Sequence, residues 1–202
     1  MSAESIAATG KILGSLLYFS PDSEQAQPLF HWLQNHPWPQ EWPYGETDRL
    51  QQIAACITDS AASNESNEEA FQRLFVGPYA LPAPPWGSVY LDRESVLFGD
   101  STLNLREWMR SHGIEPRKVQ DEPEDQIGLM LMMSAWLAEN CPALLDEFLS
   151  THLFPWSFRY LTLLEEGAGH PVYLGIARLA RITLEGWQKQ CGLKVAEHEL
   201  YH

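Results

Sequence analysis

The sequence predicts an all-α fold: a single-domain compact helical bundle broken by one long proline- and aromatic-rich loop. Three observations predict it. Apolar residues recur at helical spacing in almost every segment, no stretch alternates apolar and polar as a half-buried strand does, and the breaks between segments are short and marked by proline or glycine. With 202 residues, 45% of them hydrophobic, the chain is long enough for one sizeable core, and residues 1–202 read as one domain without internal repeats.

Each element has its own signals. Ile12, Leu13, Leu16 and Leu17 share one face of a first helix, which Ser20-Pro21 closes. Asp22 is placed to cap a second helix reaching about Leu33. From His36 to Gly45 the chain holds Pro37, Pro39 and Pro43, and proline density excludes a helix there. Leu50, Ile53, Ala54 and Ile57 follow the i, i+3, i+4, i+7 rule, and the small polar residues Ser60 to Asn67 form a linker. Phe71, Leu74 and Phe75 mark the next amphipathic helix, stopped by Gly77-Pro78. Asp100-Ser101 opens a helix carrying Leu105, Trp108 and Met109, with Gly113 at its end. A further helix is expected to begin at Pro123, a good first-turn residue, and to run through the apolar stretch to Asn140. Pro142 to about Thr151, Pro155 to Glu165 and Pro171 to Cys191 complete the bundle. The longest apolar run, Ile127 to Ala138, is too short to cross a bilayer and reads as a core helix.

Charge and cysteine usage exclude several functions. Thirteen Lys and Arg against 27 Asp and Glu leave a net charge of −14. Such a field repels nucleic-acid phosphates and anionic lipid and speeds encounter with cationic partners, so no nucleic acid and no direct membrane insertion are expected. Cys56, Cys141 and Cys191 are distant and odd in number, which fits a reducing, cytoplasmic compartment. The start, Met1-Ser-Ala-Glu-Ser-Ile, has no basic region of an export signal.

Two constellations carry candidate chemistry. Glu122-Pro123-Glu124-Asp125 sets three carboxylates at an expected helix start. There they offset the helix dipole, and they equally form a cradle for guanidinium groups, which carboxylates accept through paired hydrogen bonds. The second constellation is Gly77 to Gly99, GPYALPAPPWGSVYLDRESVLFG, too long and apolar for an ordinary connection. Its rings and prolines offer contact area at low entropic cost, which suits a flexible peptide as well as a structural lid. His198-Glu-Leu-Tyr-His202 matches a zinc-protease pattern in letters, yet its second histidine has no downstream ligand after it. His152 has no partner evident in sequence and fits a bend in the core. Cys141 lacks a nucleophile signature, and no glycine-rich phosphate loop is present. No catalytic residue, metal or cofactor is therefore assigned, and the chain is not expected to be an enzyme.

Three blocks carry a family resemblance: Phe71-Gln-Arg-Leu-Phe-Val-Gly-Pro-Tyr79; Leu81 through Pro-Pro-Trp86-Gly-Ser-Val-Tyr-Leu-Asp-Arg-Glu to Gly99-Asp100; and Glu122-Pro-Glu-Asp125. Together with His152-Leu-Phe-Pro-Trp156, the chain resembles the TorD family of redox-enzyme maturation chaperones along essentially its whole length. The resemblance implies an all-helical, mostly monomeric protein that binds the twin-arginine leader peptide of a molybdoenzyme catalytic subunit, such as that of dimethyl-sulfoxide reductase. It implies release of the client to the Tat translocase, with at most transient presence at the inner membrane. A different molybdoenzyme client is the alternative, and a metal- or nucleotide-dependent hydrolase is the reading from another class. The implied peptide-binding residues are Phe71, Leu74, Phe75, Tyr79, Pro85, Trp86 and Gly99 on the apolar side, and Glu122, Pro123, Glu124, Asp125 and Gln126 on the acidic side. Gln126 departs from the family, which usually has histidine there; an amide keeps a donor and an acceptor but does not titrate.

Overall fold

The computed structural model describes residues 3–59, 63–115, 122–195 and 198–202. In chain order the helices are α1 (Ala3–Tyr18), α2 (Gln27–Asn35), α3 (Thr47–Thr58), α4 (Asn67–Phe71), α5 (Gly87–Leu91), α6 (Asp100–Ser111), α7 (Ile127–Asn140), α8 (Pro142–Phe148), α9 (Phe154–Gly167) and α10 (Pro171–Cys191). Among the described residues there is no strand, only one isolated antiparallel bridge between Trp86 and Gln126. The all-α prediction holds.

The bundle is organised by α10 and by the pair α1–α7. The buried face of α10 includes Ile176, Leu179, Ala180, Leu184 and Trp187, and it packs on α3 and α9. Fully burying each such aliphatic side chain contributes about 1.5–3 kcal/mol. α1 lies along α7 so closely that glycine is required at the crossing: a Cβ on Gly14 sits 2.7 Å from the Gly128 carbonyl oxygen, and one on Gly128 sits 2.6 Å from that of Gly14. Buried indoles find acceptors, as burial demands. Trp187 Nε1 donates to Thr9 Oγ1 at 3.1 Å, Trp42 Nε1 to Thr183 Oγ1 at 3.0 Å and Trp38 Nε1 to the Leu33 carbonyl at 3.0 Å.

Most predicted boundaries are reproduced, and several are corrected. The stretch from His36 to Gly45, where proline density excludes a helix, holds a short 3-10 helix at Trp38–Gln40, because Pro39 stands in its first turn, where no N–H is needed. The second helix begins at Gln27, not after Asp22. Pro28 has no N–H to bond back to residue 24, so it is accommodated in a first turn, and residues 20–26 form hydrogen-bonded turns instead. The seventh helix begins at Ile127, not at Pro123. Gln126 is its cap: Oε1 accepts from the Gly128 and Leu129 N–H groups at 2.5 and 3.1 Å. The carboxylates of Glu122, Glu124 and Asp125 thus precede the helix, so the dipole reading of that run fails. Of the expected linker, residues 60–62 lie outside the described residues. Its end is a capping box in which Ser66 and Glu69 satisfy each other's backbone N–H groups, as sequence rules anticipate for Ser-x-x-Glu. The long loop is also shorter than it reads, because Gly87–Leu91 winds into α5.

Two connections continue helices through π-helical turns. Gln72–Val76 extends α4, and Leu149–Leu153 joins α8 to α9. The second turn carries His152, whose ring packs against Trp108 at 5.4 Å and Phe148 at 6.0 Å, in keeping with a core bend. Segment 198–202, with its zinc-protease letters, is not helical, and no cluster of metal-holding side chains exists among the described residues.

Candidate peptide-binding site

The proline-aromatic loop and the acidic run are stitched together. At the isolated bridge the Gly87 N–H donates to the Asp125 carbonyl at 3.1 Å, and the Ile127 N–H donates to the Pro85 carbonyl at 2.8 Å. Because α7 is held by α1, the bridge fixes the loop to the core. Gln126 tightens the join: its Nε2 donates to the Leu17 carbonyl at the end of α1, 2.9 Å away. Gln126 is buried, and its amide is spent on the α7 cap and on α1, so it holds the site together from behind.

Asp125 sits at the centre. It is only 3% exposed, and Oδ2 accepts from the Ser88 N–H at 2.6 Å and the Thr102 hydroxyl at 3.1 Å. One carboxylate thereby joins α5, α6 and the segment before α7. Its Oδ1 has no hydrogen-bond partner among the described residues. Burial pushes the Asp125 carboxyl above its ordinary range, against the hydrogen bonds from Ser88 and Thr102 that favour the charged form.

Asp125 forms part of the wall of a cavity of about 270 Å³. Asp92, Ser101, His152, Trp156 and His198 contribute to the same wall. That volume lies below the range of drug-sized pockets and suits the head of one side chain. Asp92 and Asp125 make the wall acidic, and burial depresses His152 to about 4, leaving it neutral at ordinary pH with Nε2 unpartnered among the described residues. Asp92 accepts from the Ser101 N–H at 3.1 Å and its hydroxyl at 2.8 Å, which caps α6 from a distance. That carboxylate packs directly over the α-carbon of Gly99, where any Cβ collides with it, so Gly99 supports the site by leaving room for Asp92.

The remaining predicted residues fall in three places. Glu122 Oε2 accepts from Trp86 Nε1 at 2.8 Å, so the half-buried indole and the first acid form one unit. Glu124 pairs with Arg106 at 2.7 Å, and that guanidinium lies 5.1 Å from the centre of the Phe98 ring. Pro85 and Pro123 are buried within the joint. Tyr79 is 85% exposed on the loop. Phe71, Leu74 and Phe75 are buried: Phe71 stacks on Phe75, Phe75 meets Tyr173, and Leu74 is inaccessible. These three belong to the core and not to the cavity wall. Sequence reasoning missed Ser88, Thr102, Asp92 and His198. It also missed the exposed apolar surface of Val96, Leu97, Phe98 and Leu103, for which the non-periodic run Val96-Leu-Phe was the available signal.

Comparison with known proteins decides the family. The model of the nitrate reductase delta subunit family matches residues 40–161. The Tat proofreading chaperone DmsD of Salmonella typhimurium is 48% identical over 206 residues, covering 100% of this chain and 98% of that protein. The chain belongs to the TorD/DmsD family. A probable Tat proofreading chaperone DmsD of Haemophilus influenzae is 38% identical over 199 residues, covering 98% of this chain and 97% of its own. The crystal structure of a redox enzyme maturation protein from Archaeoglobus fulgidus has a TM-score of 0.54 at 23% identity, over 89% of this chain and 93% of that one, which shows a shared fold. The DmsD relatives are Tat proofreading chaperones, not enzymes. In this member no described helix is long and apolar enough to cross a membrane.

Proposed function

We propose that this chain is a Tat proofreading chaperone that binds the twin-arginine leader of a molybdoenzyme catalytic subunit, with the dimethyl-sulfoxide reductase subunit as its client. One arginine enters the cavity between α5, α6 and α7. The observation that carries the reading is Asp125, a buried carboxylate that lines the cavity, with one oxygen satisfied internally and the other without a hydrogen-bond partner among the described residues. A guanidinium supplies the missing donors, compensates the buried charge and matches carboxylate geometry as an ammonium does not. Glu124, Arg106 and Phe98 show the same chemistry within the chain, a guanidinium held by a carboxylate and lying near a ring. The apolar part of the leader rests on Trp86, Leu97, Phe98 and Leu103, and the net charge of −14 draws the basic peptide in. Bound so, the leader is withheld from the Tat translocase until maturation is complete.

The test is titration calorimetry of the purified protein with a synthetic dimethyl-sulfoxide reductase leader and its twin-lysine version. Micromolar or tighter binding that weakens at least tenfold with lysine is expected, the point charge losing the paired hydrogen bonds. Equal affinity for both peptides refutes arginine recognition by Asp125, and no heat with either refutes the leader reading.

A further inference from the structure

Segment 198–202 is exposed at every residue but Leu200, yet it is tied to the bundle. It runs without helical structure across α5 and is held there through its backbone. The Tyr201 N–H donates to the Tyr90 carbonyl at 2.9 Å, and Arg159 Nε donates to the His202 carbonyl at 3.0 Å. Tyr90 lies in the last turn of α5, a helix of only five residues, whose final carbonyls have no partner within the helix. Between them, Tyr90 and Arg159 offer one acceptor and one donor to whatever backbone passes, and neither contact reads a side chain.

The side chains of the segment add a pattern. His198 forms part of the wall of the acidic cavity beside Asp92, Asp125 and His152. Leu200 is partly buried against the core, and the His202 ring meets Tyr90 edge to face at 5.4 Å. A basic-type residue at the cavity, an apolar residue two positions on, and backbone bonds at the next two describe how a short peptide sits on this surface.

We infer that segment 198–202 is a built-in stand-in for the client peptide. It occupies the track that a peptide takes when its arginine fills the cavity and its apolar residue two positions later replaces Leu200, and it leaves when the client binds. The inference rests on the leader reading above and adds the register of the bound peptide and a competing occupant within the chain. A site filled in this way binds with an affinity reduced by the fraction of molecules in which the segment is away.

Two readouts test it together. The first is hydrogen exchange of the Tyr201 amide, free and at saturation with the dimethyl-sulfoxide reductase leader. The second is leader affinity of the full chain, as wild type and as Tyr201→Pro, which deletes the N–H given to Tyr90 while keeping an extended backbone. Tyr201→Ala, which keeps that N–H, is the control. Loss of Tyr201 protection on leader binding is expected, with about fivefold tighter binding by Tyr201→Pro than by the control, the worth of one hydrogen bond. A leader that binds while Tyr201 stays protected overturns the stand-in and leaves leader recognition intact. Absence of binding by both wild type and Tyr201→Pro overturns both, because the track then has no client.

Discussion

Replacing Asp125 by Ala and by Asn separates its two duties. In Asp125→Ala the Ser88 N–H and the Thr102 hydroxyl lose their acceptor in a buried setting. Each orphaned donor costs about 1–3 kcal/mol, and relief from burying a carboxylate offsets part of it, leaving a net loss of about 3 kcal/mol. For a domain of this length that lowers Tm by roughly 6–12 °C. Asp125→Asn keeps an acceptor for Ser88 and removes the charge, so its stability at pH 7 stays within about 1 kcal/mol of wild type. The pH dependence carries a definite sign. The folded carboxyl titrates above its unfolded value, so between the two the folded state holds more protons, and stability rises as pH falls through that window. Wild type therefore gains on Asp125→Asn as pH falls from 7 toward the ordinary carboxylate range near 3.8. Leader affinity behaves differently, with Asp125→Asn losing at least about tenfold while remaining folded. Urea denaturation at several pH values, with calorimetry on the same samples, reads all three. Equal destabilisation by Asn and Ala, or a wild-type to Asn gap that is flat from pH 7 to 4, refutes the account of a buried, charged latch.

Other perturbations have equally specific outcomes. Gly99→Ala drives a methyl into the Asp92 carboxylate and breaks its hold on Ser101; a loss of about 2 kcal/mol is expected in urea denaturation, and a change below about 0.5 kcal/mol removes the reason given for that glycine. His152 titrates near 4 when folded, so its contribution to stability is complete above its unfolded value of 6.5 and is lost as pH falls between those values. His152→Gln should flatten that part of the acid limb by up to about 3 kcal/mol, opposite in sign to Asp125, and an unchanged limb counts against a neutral buried imidazole. Trp86→Phe removes the indole N–H held by Glu122 and keeps a ring; a several-fold loss of leader affinity with little change in Tm is expected, and the reverse pattern makes Trp86 a purely structural residue.

Much of the fold is legible because helix signals are local. Pro142 and Pro171 open α8 and α10 as first-turn rules require, and Gly113 follows the end of α6. The start of α7 was not legible. Pro123 is a good first-turn residue in isolation, but the Asp125 carbonyl and side chain are claimed by Gly87, Ser88 and Thr102, and no window along the chain contains those partners. The acidic run and the proline-aromatic loop were legible as two blocks. What joined them was not: Ser88 and Thr102 are ordinary small polar residues until Asp125 lies between them. Leu74 and Phe75 match a family motif and also an amphipathic helix, and burial assigns them to the core. Gly99 matches the motif as well, with the reason only visible once Asp92 folds back over it.

The bridge between Trp86 and Gln126 has a consequence for the order in which the site comes into being. During synthesis the loop around Trp86 leaves the ribosome well before residues 122–126, and α1 waits longer still for α7. A nascent chain that has reached only α6 holds Ser88 and Thr102 but lacks the carboxylate that binds them, so its aromatic loop has no fixed shape to offer. Competence to hold a client thus belongs to the late stages of translation, and a chain halted early competes for no leader.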